Sequence, residues 1–184
     1  MIMTTREKFS RLDAVVAEIG ITQEELQEWF NPSPFPIVYK KGNNFEVLPR
    51  FIHERRNEVW GYEIMPNIIL AKKCGADGNV EDTNWKEVQR FAEKCTLEGK
   101  RGYLPSLKFL RQNWTSELPD RIKAMDKFLY DKGVDAEERY YGRIWCIETD
   151  CYNGGFYFPL DKLPGWYSKV SPSKDDRIAV AFKP

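Results

Sequence analysis

The chain carries a single histidine, His53, among 184 residues. Every Ser-His-Asp or Cys-His reading must therefore route through that one imidazole. It sits in Phe51-Ile52-His53-Glu54-Arg55, with no Gly-x-Ser-x-Gly elbow and no local cysteine signature beside it. An exposed or hydrogen-bonded strand histidine is the better expectation. Cysteine is also scarce. Cys74, Cys95, Cys146 and Cys151 form no C-x-x-C pair, so a zinc site built from closely spaced ligands is not expected. Free thiols are the default reading, with Cys146 and Cys151 close enough in sequence to oxidise across a hairpin in a suitable compartment. No phosphate loop or dinucleotide fingerprint is present.

Net charge is missing too. Lys plus Arg and Asp plus Glu each number 28, for a formal charge of zero. That balance gives no general pull toward nucleic acid or an anionic membrane, and the basic pairs Lys40-Lys41, Arg55-Arg56 and Lys72-Lys73 read as solvated faces. No apolar run reaches transmembrane length, and residues 1–10 lack the apolar segment and small-residue cleavage site of a secretory signal. The expectation is a cytoplasmic protein, with a virion component matching the same features.

What the chain does have is apolar and aromatic mass. Hydrophobic residues make up 42% and aromatic residues 14%, enough to build a packed core rather than a disordered chain. Phe9, Leu12, Val16 and Ile19 recur at helical spacing, Gly20 suits a helix end, and Thr22 with Glu25 forms a capping box before Leu26, Trp29 and Phe30. Residues 1–31 thus read as a helical hairpin appendage, and the proline-rich stretch to Pro36 as a stiff linker. A helix-turn-helix reading is disfavoured because Glu24, Glu25 and Glu28 would face phosphates.

From residue 36 to 184 the pattern predicts one α+β domain. Ile37–Tyr39 and Phe45–Leu48 flank the turn sequence Lys41-Gly42-Asn43-Asn44, and Val59–Ile64 and Ile68–Leu70 are further strands. A loop from Gly75 to Asp82 follows, and the spacing of Asp77 and Asp82 is not that of an EF-hand. Thr83 or Asn84 can cap a helix whose inner face is Trp85, Val88, Phe91, Ala92 and Cys95. Gly102-Tyr103-Leu104-Pro105 reads as a tight turn, with Leu104 anchored in the core and Ser106 capping a helix that buries Phe109 and Leu110. A third helix is expected from Asp120, with Ile122, Met125, Phe128 and Leu129 inward and Gly133 closing it. Strands at Arg143–Thr149, Gly155–Leu160 and Arg177–Phe182 complete the plan.

Asn84-Trp85-Lys86-Glu87-Val88 with Phe91-Ala92, then Gly102-Tyr103-Leu104-Pro105-Ser106, Phe109-Leu110, Tyr141–Glu148 and Arg177–Phe182, together resemble the Lcl C-terminal-like domains. These form a bacterial and phage family of unknown function. The resemblance covers the C-terminal part of the chain and leaves residues 1 to 57 unexplained. It implies a C-type-lectin-like fold, with short mixed strands and helices carrying variable loops. Gly102-Tyr103 stands where the family has Trp-Arg, Cys146-Ile147 replaces paired serines, and the Glu-Pro-Asn calcium motif is absent. Calcium-dependent sugar binding does not carry over, and no cofactor or resident metal is expected.

The candidate site residues cluster after residue 147. Glu148 and Asp150 stand two apart at a strand end and can share a face. Tyr152, Asn153, Trp166 and Tyr167 lie among glycines in turn-like sequence, a composition suited to adaptable recognition. Trp145, Phe156 and Phe158 fit core positions on alternating strands. The sequence therefore reads as a non-enzymatic recognition domain for a protein or carbohydrate ligand. Its rivals are a carboxylate- or metal-dependent enzyme using Glu148 or Asp150, and a structural subunit of a phage or bacterial assembly.

Overall fold

A computed structural model describes residues 14, 15, 18, 20–22, 33–73, 85–136, 143–149, 155–159, 168, 169 and 177–184. Within 143–169 the description is of backbone, except for the side chains of Ile144, Cys146 and Ile147. The chain separates into two compact units, Met1–Pro32 and Ser33–Pro184. In the first, Ala14, Val15 and Glu18 are helical and Gly20 adopts φ +70°.

The second unit is α+β, as its alternating and helical patterns predict. Strands β1 (Ile37–Lys41) and β2 (Asn44–Leu48) form a hairpin closed at Lys41 opposite Asn44. Strands β3 (Val59–Met65) and β4 (Ile68–Ala71) form a second, turning at Pro66-Asn67, where Asn67 takes the left-handed φ of 63°. Helix α1 (Trp85–Lys94) leads into β5 (Thr96–Leu97) and β6 (Lys100–Tyr103). Helices α2 (Leu107–Asn113) and α3 (Leu118–Asp131) follow. Next come β7 (Arg143–Thr149), β8 (Gly155–Pro159), β9 (Ser168–Lys169) and finally β10 (Ala179–Phe182).

Seven strands close into a barrel in the order β1-β2-β5-β6-β10-β4-β3, and β3 pairs back onto β1. Closure leaves this sheet without a free edge. Strand alternation then divides the apolar residues between two cores. Val38, Phe45, Trp60, Ile69, Leu97, Val180 and Phe182 pack with Val88, Ala92 and Cys95 of α1 and its end. Ile37, Tyr39, Tyr62, Ile64, Leu70 and Ala181 face the other way, against Leu110, Ile122, Met125 and Leu129 of α2 and α3. The remaining strands form a separate sheet in the order β7-β8-β9.

Several local expectations need correction. Gly102-Tyr103 is strand, not turn: the reversal falls earlier, at Glu98 (φ 51°) and Gly99 (φ 79°) between β5 and β6. What Gly102 supplies is room. A Cβ there would stand 2.5 Å from the Ala92 carbonyl oxygen and 2.5 Å from Val180 Cγ1, so α1 and β10 both close against a bare backbone. Leu104 is buried after the strand, and Ser106 Oγ accepts from the Phe109 amide at 3.0 Å as the α2 cap.

Phe109, expected inside, is 39% exposed, because Leu110 occupies the inward position of a two-turn helix. Helix α3 starts at Leu118, two residues before Asp120, with Pro119 in its first turn; Gly133 closes it at φ +72°. His53 lies in a 3-10 turn (His53–Glu58) rather than a strand, with its ring edge-on to Phe51 at 4.9 Å.

Candidate functional site

The most concentrated polar chemistry among the described residues is a buried cluster joining three distant parts of the chain. Arg177 precedes β10 and is 0% exposed; Asp126, on the inward face of α3, is 2% exposed. Their guanidinium and carboxylate meet side by side, Nη1 to Oδ2 at 2.8 Å and Nη2 to Oδ1 at 3.1 Å. Tyr62 of β3 donates its hydroxyl to Asp126 Oδ1 at 2.6 Å and accepts from Arg177 Nη2 at 2.8 Å. The Ala71 carbonyl at the end of β4 accepts from Arg177 Nε at 2.8 Å and also from Nη2.

The local sequence explains the convergence. Tyr62 shares the α3 side with Ile64, two residues on in β3. Trp60 packs in the other core because the β1–β3 register shifts there, Val38 facing Gly61 but Tyr39 facing Val59. Asp126 follows Ile122 by four residues, which places it on the same buried stripe. Arg177 is fixed by a parallel bridge to Ile144 of β7 and by the strand that begins two residues later.

Electrostatics hold the cluster in one protonation state. Burial pushes the Tyr62 hydroxyl well above its ordinary range; the nearby guanidinium opposes this, while the Asp126 charge and hydrogen bond add to it. Burial works against the Arg177 charge, but the Tyr62 and Asp126 oxygens outweigh it and raise the guanidinium above its ordinary value. A neutral phenol thus bridges a permanent ion pair. Each Arg177 nitrogen donates within the cluster, so its hydrogen-bonding capacity is turned inward. Chemically this is a clasp: it ties β3, β4, α3 and the start of β10 together.

A second polar cluster lies where β4 ends. Lys73 pairs with Asp135, just past α3, and this bond holds the Asp135 carboxyl below its ordinary value. Lys72 beside it is partly buried, and burial lowers its ammonium from the ordinary lysine range, opposed by Asp135 and reinforced by Lys73. A third set of contacts secures the small sheet: Trp85 Nε1 donates to the Cys146 carbonyl at 3.0 Å, and the Ile147 amide donates to the Pro105 carbonyl at 3.0 Å.

Of the residues singled out by sequence, Glu148 falls on β7 by backbone. Asp150, Tyr152, Asn153, Trp166 and Tyr167 lie outside the described residues, as do Cys74, Cys151, Asp77 and Asp82. Cys95 and Cys146 are buried. Among the described residues no group of three or more His, Cys, Asp or Glu side chains could hold a metal ion, and no helix is long and apolar enough to cross a membrane. The Tyr62–Asp126–Arg177 cluster was missed by sequence reasoning. Its one advance signal is Asp126 at an apolar helix position, between Met125 and Phe128.

Fold and site together define an α+β barrel domain locked by a buried ionic clasp. No protein-family model, curated protein or solved structure matches the chain.

Proposed function

We propose that this chain is a non-enzymatic recognition module: a rigid α+β scaffold, similar in kind to the C-type-lectin-like fold, that presents a ligand surface between residues 150 and 176. Glu148, Asp150, Tyr152, Asn153, Trp166 and Tyr167 are its contact residues, and a protein or carbohydrate is its ligand. The observation that supports this reading is the buried clasp. Its guanidinium, carboxylate and phenol are bonded to one another and to the Ala71 carbonyl, and so serve to hold elements in place. An acid–base centre would instead direct such groups toward a cavity. Tyr and Trp among Gly and Asn bring contact area at low entropic cost, which suits a loop surface carried on such a scaffold.

The test is a screen of the purified chain on a glycan array and a displayed peptide library, repeated with a Tyr152→Ala/Trp166→Ala/Tyr167→Ala variant. Wild-type hits that vanish in the variant, with the melting temperature unchanged, support the reading. Hits that survive the triple change place the surface elsewhere.

A further inference from the structure

The pairing of β7 with β8 breaks beside the first of the proposed contact residues. Trp145 faces Tyr157 and Thr149 faces Gly155, so Cys146, Ile147 and Glu148 of β7 stand against Phe156 alone. A bulge of this kind leaves backbone groups without ladder partners and re-aims the chain that follows. Here one peptide group inside the bulge is taken at both ends. The Cys146 carbonyl accepts from Trp85 Nε1 at 3.0 Å, and the Ile147 amide of the same peptide donates to the Pro105 carbonyl at 3.0 Å. The C=O and N–H of a trans peptide point in opposite directions, so the two bonds grip its plane from opposite sides. Ile144 and Cys146 are held by burial in the core shared with α2 and α3. Ile147 is 40% exposed, and there the hydrogen bonds take over as the restraint.

From this geometry we infer that Trp85 is a positioning residue for ligand recognition: with the Pro105 carbonyl it presets the bulge that places the backbone of Glu148. This role rests on the recognition reading above, in which Glu148 is a contact residue. Glu148 follows the gripped peptide directly, so a turn of that peptide would move it. A backbone fixed in advance spares the ordering cost that binding otherwise carries. Trp85 suits the task because its two ends do different work. Its ring packs against the core that holds Val88 and Ala92, while its N–H reaches across to β7. Trp85 acts through the Cys146 carbonyl and is not itself a contact residue.

The variant Trp85→Phe keeps an aromatic ring on α1 and deletes the donor. By NMR hydrogen exchange, the Trp85 indole proton and the Ile147 amide proton of the wild type should both be protected. In Trp85→Phe the Ile147 amide should exchange several-fold faster, while the amides of α3 keep their rates. Displayed peptides and array glycans retained by the wild type should bind Trp85→Phe with a Kd raised several-fold at unchanged melting temperature. Unprotected Trp85 and Ile147 protons in the wild type overturn the inference, an outcome that needs neither a ligand nor a folded variant. An Ile147 amide that keeps its wild-type rate in Trp85→Phe overturns it too. If the same ligands are lost on Tyr152→Ala/Trp166→Ala/Tyr167→Ala but bind Trp85→Phe with unchanged Kd, the recognition surface stands and the role of Trp85 falls. Ligands that survive both sets of changes remove the surface itself.

Discussion

A carboxylate and a guanidinium withdrawn together from water are tolerated as a pair and penalised singly. Breaking such a pair leaves an uncompensated buried charge, and removing one partner costs about 3–5 kcal/mol. Asp126→Asn or Arg177→Met should therefore lower stability by that amount in chemical denaturation, even though each replaces only part of one side chain. The triple change Asp126→Leu/Arg177→Met/Tyr62→Phe should cost less than the sum of its parts, because no charge is left stranded. Tyr62 adds a pH signature. Its proton is held more tightly in the folded chain than in the unfolded one, so stability is intact below the ordinary tyrosine value and falls above about pH 10, where only the unfolded state releases that proton. Denaturation midpoints taken across that range should drop more steeply for wild type than for Tyr62→Phe. Equal slopes would mean that the phenol ionises freely in the folded protein.

At the scale of elements, the clearest lesson concerns residues 95 to 110. Leu104 was legible as a core residue from its place before Pro105 and a helix cap, and it is buried. Leu104→Ala should cost about 2–5 kcal/mol by loss of burial and the cavity left behind. Gly102 was legible as a special position for the wrong reason. A turn and a close approach of backbone both call for glycine, and only the packing of α1 and β10 distinguishes them. Gly102→Ala should destabilise because the nearest obstacle is the Ala92 carbonyl, a backbone atom that cannot swing aside. A melt showing no loss for Gly102→Ala would remove that explanation. The β1–β2 and β3–β4 hairpins and the helices were readable because their apolar periods are local. Phe109 and Leu110 are adjacent and both apolar, and both were expected inside, but a short helix turns only Leu110 fully inward and leaves Phe109 39% exposed. The clasp was not readable, since its three side chains are brought together by contacts across 51 and 115 positions of chain. The recognition residues stand on local sequence, Glu148 and Asp150 on their spacing at a strand end and Tyr152, Asn153, Trp166 and Tyr167 on their glycine-rich setting.

The whole molecule is organised around its last strand. β10 ends two residues before the C-terminus, yet it lies between β6 and β4 in the middle of the barrel order. Ile178, Val180 and Phe182 belong to one core and Ala179 and Ala181 to the other, so this short segment contributes to both. Arg177 just before it supplies the clasp. Ending the chain at Asp176 would open the barrel, expose the facing edges of β4 and β6, and leave Asp126 without its cation. At the other end, the unit Ser33–Pro184 contains every strand of the barrel and both of its cores. Terminal deletions are tolerated according to what the removed backbone buries and bonds, not according to their length. A protein comprising residues 33–184 should therefore retain a cooperative thermal transition and near-ultraviolet dichroism from its packed aromatic residues. Residues 1–176 should lose both, although far fewer residues are removed. Cooperative unfolding of the 1–176 protein would show that the barrel stands without its closing strand, and a molten 33–184 protein would show that the first unit is needed to complete the fold.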